Sequence, residues 1–458
     1  MKVTRFAKRR AWAASLSVAV LVPLFAAGLV WSSGLAVTVQ LEGVYYDSVG
    51  NAVTEVVLPA TTAKVLRRWP GLAGNGTAHG EVVRPGKSVR LGGYFYSTGD
   101  WSVDRCVEWL GTHVDVYSLG MCGSVFSPGD VLDVKALNPR VRFYYMAFAT
   151  TLFENRSGDP PMSWGTWGDS HYPQVQFNDT MREWTLKLAD GSEAIGVRRK
   201  SDDDVAHLMD LGDAGWADYF AAIYGARVEQ FHADGVFVDE VMWRGYWGVD
   251  SSELRDYSST ADVTASCYDW LARVRSRLDC EFVTQAFWDE AQEYQDGVWG
   301  EIAFRAGGQY GDRVDDVNRS VWYEKMDWKG IVDNAAKHAA LNRTYVWAAW
   351  YPRDDEGALE YAVATYLMAK PNGAEYLAFH PQPVFDGGYG DAGNLAGYSV
   401  ETAAAEVAAH PEFFELELGD ALGAPRLVDA GGGKVWIREF QNGLVLVNPF
   451  RARVPGLG

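Results

Sequence analysis

The 458-residue sequence has little positive charge. Its 41 lysines and arginines, against 60 aspartates and glutamates, give a formal net charge of −19. Because phosphate binding needs clustered lysine and arginine, this composition argues against a nucleic-acid partner. It fits a neutral or cationic substrate, or simply a soluble acidic surface.

Motifs of several common enzyme classes are also absent. The sequence has no His-Glu-x-x-His motif and no His/Cys cluster with metal-ligand spacing, which leaves no candidate metal site. It has no glycine-rich phosphate loop of the Walker or Rossmann type and no Gly-x-Ser-x-Gly motif. We therefore expect a function that needs neither a metal nor a cofactor.

One long hydrophobic run is present, at the amino terminus. Residues 11–31 are 21 uncharged, mostly apolar residues, long enough to span a bilayer, and five basic residues precede them. We interpret residues 1–34 as a signal peptide or an uncleaved membrane anchor. With basic residues before the span, the rest of the chain is expected outside the cytoplasm, either secreted or attached to the membrane.

The sequence has only four cysteines, and an even number in an exported chain permits disulfides. Cys106 is predicted to start the helix after strand one, and Cys122 to end strand two. A bridge between these two therefore fits the predicted fold. Cys267 and Cys280 stand at opposite ends of a predicted helix, roughly 15 Å apart, which makes a bond between them less suitable. Buried free thiols are the alternative.

From residue 89 to residue 410 the sequence alternates between short apolar runs and helical patterns. This alternation is typical of an α/β fold, and eight apolar runs predict a (β/α)8 TIM barrel. The predicted strands are 91–96, 114–119, 141–148, 236–238, 281–288, 297–304, 344–350 and 375–380, and the predicted helices are 103–110, 218–232, 261–278, part of 317–341, and 356–369.

Three further segments fall outside this alternation. Residues 35–88 are predicted to be a linker or a small β-appendage. Residues 411–458 are predicted to be a small β-hairpin unit, because Asn442-Gly443 between two alternating runs is a strong hairpin signal. Residues 152–210 are predicted to be a long loop insertion. Since this insertion follows strand three, it should lie over the upper face of the barrel.

The most informative stretch is Val236-Phe237-Val238, which Asp239 and Glu240 follow. An unbroken apolar run fits a strand buried on both faces, and its carboxyl end lies at the barrel rim where chemistry is done. A carboxylate there can act as nucleophile or acid/base at a sugar. Strand alternation turns Glu240 away from Asp239 and favours a supporting role for it. The alternative is a strand that ends in a solvated acidic pair.

Glycoside hydrolysis needs a second carboxylate across the sugar bond. Glu301, in strand six, is the main candidate for acid/base, because Trp299 and Phe304 give it an apolar setting that would raise its pKa. It could instead pair with Arg305 at the rim. Glu290, just past strand five, competes for the same role, although its Trp-Asp-Glu-Ala context equally suggests a helix start.

Aromatic side chains are the other candidate substrate contacts, because flat rings stack on sugar faces. The sequence contains 19 Trp, 23 Tyr and 20 Phe, most of which must be core residues. Those that end predicted strands at the same rim are Tyr94, Tyr96, Trp347 and Trp350.

Four stretches carry a resemblance to a known family. They are Asp-Gly-Val-Phe-Val-Asp-Glu (234–240), Gly-Val-Trp-Gly-Glu (297–301), Tyr-Val-Trp-Ala-Ala-Trp (345–350) and a carboxy-terminal motif (435–449). Together, residues 90–450 resemble extracellular TIM-barrel glycosyl hydrolases related to the endo-α-1,4-polygalactosaminidase-like group. The resemblance implies a retaining glycosidase with Asp239 as nucleophile and Glu301 as acid/base. Many members of the group are uncharacterised, so the resemblance implies no particular substrate. The insertion at 152–210 departs from the simplest members and bears on the shape of the substrate.

The sequence therefore favours an exported or membrane-anchored glycoside hydrolase that acts on an extracellular polysaccharide or oligosaccharide. Two hypotheses from other classes stay open. One is a non-catalytic carbohydrate-binding barrel at the cell surface, and the other is a structural envelope protein.

Overall fold

A computed structural model describes residues 36–47, 50–59, 62–68, 87–93, 95, 98–119, 126–155, 177–195, 204–241, 249–285, 289–303, 328–352, 356–370, 375–382, 399–430 and 433–449. Two β-structures organise these residues. One is a closed barrel of eight parallel strands, and the other is a six-stranded antiparallel sheet.

The barrel confirms all eight predicted strands and the TIM-barrel architecture. Each strand pairs in parallel with its two neighbours, and the last pairs with the first. The strands are β4 (Leu91–Gly93), β5 (Val116–Ser118), β6 (Arg142–Phe148), β9 (Gly235–Asp239), β10 (Glu281–Thr284), β11 (Gly297–Ala303), β12 (Thr344–Pro352) and β13 (Glu375–Gln382).

Helices follow most barrel strands and pack outside them. They are α1 (Val103–His113), α2 (Pro128–Leu137), α3 (Ala214–Gln230), α4 (Thr260–Arg275), α5 (Trp328–Ala340), α6 (Glu356–Ala369), α7 (Val400–Ala409) and α8 (Pro411–Phe414). The predicted helices after strands one, three, four, six and seven are confirmed. Helix α2 was not predicted, although Ser127 and Asp130 form a capping box at its start and Pro128 occupies its first turn.

The antiparallel sheet is built from both ends of the described chain. The amino-terminal strands are β1 (Val37–Tyr46), β2 (Ala52–Leu58) and β3 (Thr62–Arg67), and the carboxy-terminal strands are β14 (Arg426–Ala430), β15 (Gly433–Phe440) and β16 (Gly443–Asn448). Their order in the sheet is β14-β15-β16-β3-β1-β2. The predicted appendage and the predicted hairpin unit thus share one sheet, joined where β16 pairs with β3.

Helix α6 links this sheet to the barrel and is buried from Ala358 to Ala369. The Val65 N–H donates to Glu360 Oε1 at 3.0 Å, and Lys64 forms an ion pair with the same carboxylate. At the other end of α6, Arg438 donates to the carbonyls of the last turn. The Arg438 bonds satisfy carbonyls that the end of α6 would otherwise leave unpaired.

The insertion after β6 contains regular structure where a long loop was predicted. Strands β7 (Thr151–Asn155) and β8 (Asp204–Leu208) form an antiparallel pair, and a 3-10 helix spans Asp179–Trp184. Short strands separated by some fifty residues are not visible as a hairpin in a local sequence window. The insertion starts at the carboxyl end of β6, which is the same barrel rim that Asp239 reaches.

Two further predictions concern the cysteines and the amino terminus. Cys106, Cys267 and Cys280 are free thiols, and Cys122, the predicted partner of Cys106, lies outside the described residues. Across the residues that the structure describes, no helix is long and apolar enough to cross a membrane. The predicted span at 11–31 precedes those residues.

Candidate functional site

The interior of the barrel is layered, and the strand pairing fixes which residues share a layer. The pairing partners can be followed from strand to strand round the barrel. When each step crosses to the partner residue on the next strand and then moves one residue toward that strand's carboxyl end, a path that starts at Phe237 returns to Phe237 after eight strands. This is the stagger of a TIM barrel, in which alternate strands contribute four side chains to each layer. The layer at this level consists of Ser118, Phe237, Trp299 and Ala378.

Two aromatic rings form the floor beneath the upper rim. Phe237 and Trp299 stack with ring centroids 4.9 Å apart and an interplanar angle of 24°. Tyr144 meets the edge of Trp299 at 6.5 Å. All three side chains are buried. Because the stacked rings belong to β9 and β11, they show independently of the strand pairing that Phe237 and Trp299 lie at the same level of the barrel.

The next layer up contains both carboxylate residues predicted to be catalytic. Asp239 is two residues beyond Phe237 on β9, and Glu301 is two residues beyond Trp299 on β11. With one strand between them, their Cα atoms are separated by roughly 9–10 Å. The structure describes the backbone of Glu301, and the Glu301 carboxylate lies outside the described part of the chain.

The Asp239 carboxylate is held by the next peptide. The Glu240 N–H donates to Asp239 Oδ1 at 2.7 Å, and the same N–H lies 3.1 Å from Gln285 Oε1. The Asp239 backbone carbonyl accepts from the Ala149 N–H at 3.0 Å. A hydrogen bond from N–H to a carboxylate is charge-assisted, and it stabilises negative charge on Asp239.

Glu240 leaves the strand in a left-handed conformation, with φ of 56°. Glu240 is only 2% exposed, and its backbone carbonyl accepts a hydrogen bond from the buried Thr150 hydroxyl at 3.1 Å. A non-glycine residue with positive φ carries backbone strain and persists only where surrounding contacts hold it. Glu240 therefore supports Asp239 through its backbone N–H, which donates to the Asp239 carboxylate. The role of Glu240 as a substrate contact stays a prediction.

Trp347, a predicted sugar contact, lies in the shell between the strands and the helices. It is fully buried, and its ring is 5.3 Å from that of Tyr345, which in turn faces His338 of α5. Strand alternation explains this placement, because Thr344 points into the barrel and bonds Tyr144. In this conformation Trp347 packs the core and does not line the barrel mouth.

The side chains of the remaining predicted substrate contacts lie outside the described part of the structure. Tyr94 and Tyr96 lie outside the described residues. Trp350 lies in β12 and Glu290 in the 3-10 helix Asp289–Tyr294, each known by its backbone alone. The helical position of Glu290, beyond the end of β10, matches the helix-start interpretation of its sequence.

Three residues of the mouth were missed by sequence reasoning. Gln285 directly follows β10, and Thr150 lies two residues past the end of β6; a polar residue after an apolar run was the available signal. His380 occupies the inner-face register of β13 at the level of Asp239 and Glu301. A histidine that ends a barrel strand was a signal of the same kind as the two carboxylates.

The opposite end of the barrel carries a separate polar network. Arg142 Nη1 donates to Glu281 Oε1 at 2.7 Å, and the Tyr144 hydroxyl donates to Glu281 Oε2 at 2.5 Å. Burial, reinforced by the Glu281 charge, raises the pKa of Tyr144. Arg142 and Glu281 begin their strands, and this end of a TIM barrel serves stability. Within the described chain, no three His, Cys, Asp or Glu residues are grouped to hold a metal ion.

Comparison with known proteins gives no family assignment, since no family model and no curated protein match the sequence. Among solved structures, the chain is similar to a cycloisomaltooligosaccharide glucanotransferase of Paenibacillus sp. at 13% identity and a TM-score of 0.33, covering 70% of this chain and 51% of that one. It is similar to a GH31 dextranase of Flavobacterium johnsoniae at 11% identity and a TM-score of 0.42, covering 79% and 52%.

An α-galactosidase of Thermus thermophilus is similar at 12% identity and a TM-score of 0.39, covering 85% of this chain and 77% of that one. The chain thus spans about half the length of the glucanotransferase and of the dextranase. With TM-scores below 0.5, these similarities assign no activity to this chain. The barrel is established by its own strand pairing.

Proposed function

We propose that the protein is a glycoside hydrolase whose catalytic pair is Asp239 and Glu301. The observation that carries the proposal is the shared layer of these two residues, one pleat above the stacked rings of Phe237 and Trp299. Glycosidic bond cleavage requires two carboxylates that flank the bond, and strands β9 and β11, with one strand between them, can supply such a pair.

In the proposed mechanism the two carboxylates have different charge states. Asp239 is the anionic nucleophile, because the Glu240 N–H stabilises its negative charge. It attacks the anomeric carbon while Glu301 gives a proton to the leaving oxygen. In the second step Glu301 takes a proton from a water molecule whose oxygen attacks the anomeric carbon. The bond to Asp239 breaks, the carboxylate leaves as the anion, and the sugar is released with retained configuration. The buried rings below keep bulk water from approaching from beneath.

The backbone separation is compatible with this assignment. Side chains that reach toward each other from Cα atoms roughly 9–10 Å apart bring their carboxyl groups near the 5–5.5 Å of retaining enzymes. Side chains that stand parallel would leave the wider spacing of inverting enzymes. The hydrogen bond that holds Asp239 in place supports the retaining alternative, since a nucleophile must be fixed in orientation.

We further propose that the substrate is an extracytoplasmic polysaccharide. The basic stretch followed by the apolar run at 11–31 supports export or membrane attachment. The net charge of −19 favours a neutral or cationic glycan over a polyanionic one. The described part of the insertion follows β6 at the rim, where it would contribute to substrate selection.

The test is hydrolysis of a panel of neutral, amino-sugar and acidic polysaccharides, measured as reducing-end release. We expect wild-type activity on at least one neutral or amino-sugar polymer. Glu301→Gln should lose about 10²–10⁴-fold in rate, and Asp239→Asn at least as much. If all three proteins are inert and bind a glycan equally well, the protein is a carbohydrate-binding module and the proposal is wrong.

A further inference from the structure

One backbone N–H joins Asp239 to a neighbouring strand. The Glu240 N–H is 2.7 Å from Asp239 Oδ1 and 3.1 Å from Gln285 Oε1. Because a backbone N–H only donates, the Gln285 atom that faces it must be the amide oxygen. Two acceptors from adjacent strands therefore converge on a single hydrogen at the carboxyl end of β9.

The surroundings leave this N–H little freedom. The backbone of Glu240 is held in the left-handed region at φ 56°, and its carbonyl accepts from the Thr150 hydroxyl. The Gln285 N–H donates to the Val238 carbonyl at 3.0 Å, which ties β10 to β9 just below the site. Strain of this kind persists where neighbouring contacts over-determine it, and such positions cluster at functional sites.

We propose that Gln285 is a positioning residue that fixes the orientation of the Asp239 carboxylate through the shared Glu240 N–H. The inference rests on the proposed role of Asp239 as nucleophile. Gln285 does not touch the reacting atoms in this scheme. It holds the Glu240 peptide at the angle that presents its N–H to Asp239, so that the Asp239 carboxylate keeps one orientation.

The proposal predicts a specific electrostatic coupling. Since both oxygens bond one nitrogen, they lie within about 6 Å of each other, where a second negative charge would disfavour ionisation of the first. Gln285→Glu puts a carboxylate at this point while it keeps the shape of the side chain. Among the residues that the structure describes, the other titratable residues at this level of the barrel, Glu240, Glu301 and His380, are unchanged in this variant.

The experiment is a titration that does not depend on activity. Asp and Glu side-chain carboxyls are labelled with 13C, the Asp239 signal is assigned with Asp239→Asn, and NMR shifts are followed against pH. In Gln285→Glu we expect the pair of carboxyls at 239 and 285 to titrate together, with the upper midpoint at least about one pH unit above that of Asp239 in the wild type. Gln230→Glu, an equivalent change on the exposed end of α3, should leave Asp239 unmoved.

If both carboxyls in Gln285→Glu titrate independently, with the Asp239 midpoint unchanged, the positioning inference is wrong. Kinetics on any polysaccharide that the wild type cleaves give the second readout. Gln285→Met should lower kcat about tenfold with little change in KM, and Gln285→Glu should move the acid limb of the pH–rate profile upward. If the two carboxyls titrate together but no glycan is cleaved, the proposed function is wrong, while the contact between Gln285 and Asp239 through the Glu240 N–H is supported.

Discussion

The amine of Lys370 is expected to make the stability of the fold depend on pH in an unusual direction. Lys370 follows α6 at the junction of barrel and sheet, and its Nζ donates to the Ser88 carbonyl at 2.6 Å. Burial, helped by the nearby positive charge of Arg90, lowers the pKa of this lysine to about 8, against the opposing charges of Glu375 and Asp115. The folded state therefore binds this proton less tightly than the unfolded chain does.

The direction of the pH dependence follows from the number of protons that the folded and unfolded states bind. Between about pH 8 and the ordinary lysine value near 10.4, the unfolded chain binds more protons than the folded one, so stability rises with pH. A shift of roughly 2.5 units corresponds to about 3 kcal/mol over the whole range, of which about 2 kcal/mol falls between pH 7 and pH 9.5. The gain is absent below pH 7, where Lys370 is protonated in both states.

The assay is urea unfolding of wild type and Lys370→Met at pH 7, 8, 8.75 and 9.5. Lys370→Met loses the bond to Ser88, which sets a constant offset of about 1–3 kcal/mol between the two proteins. The difference in free energy of unfolding should then change in favour of the wild type by about 2 kcal/mol from pH 7 to pH 9.5. Subtraction also cancels the ionisation of tyrosines in the unfolded state. A difference that stays constant across this range would refute the reasoning.

Three further predictions concern the mouth and its floor. Trp299→Ala should cost about 3–5 kcal/mol in urea unfolding, because a fully buried ring is removed from the stack with Phe237; a loss below 1 kcal/mol would contradict the layered interior. Thr150→Val should cost about 1–3 kcal/mol, since the Glu240 carbonyl loses its donor, whereas Thr150→Ser should stay near wild type; equal losses would show that the hydroxyl is irrelevant. Glu290→Gln should keep glycan hydrolysis within about threefold of wild type while Glu301→Gln lowers it about 10²–10⁴-fold, and the reverse order would transfer the acid/base role to Glu290.

The barrel was predictable because its signals are local. Each strand is a short apolar run, and in a parallel sheet covered on both faces such runs stand out from the helical patterns between them. Asp239 was found the same way, as the first polar residue after Val238. Helix α2 was missed although its capping box at Ser127 and Asp130 is a sequence signal, because its apolar pattern is weak.

What the sequence did not reveal depends on long-range pairing. Nothing in residues 62–67 indicates that β3 will pair with β16, whose residues are nearly four hundred positions away. The same limit applies to Trp347, since only the register of β12 decides that Thr344 faces inward and Trp347 outward. The left-handed conformation of Glu240 is set by Thr150 and by its packing, and glutamate has no intrinsic preference for it.

The anomeric configuration of the first product tests the central claim most directly. Proton NMR during hydrolysis of the best polysaccharide substrate distinguishes the two anomers before they equilibrate. The account predicts that wild type releases the anomer of the substrate configuration, and that Asp239→Asn releases no product on the same timescale. An inverted first product, or undiminished release by Asp239→Asn, would contradict the assignment of Asp239 as nucleophile.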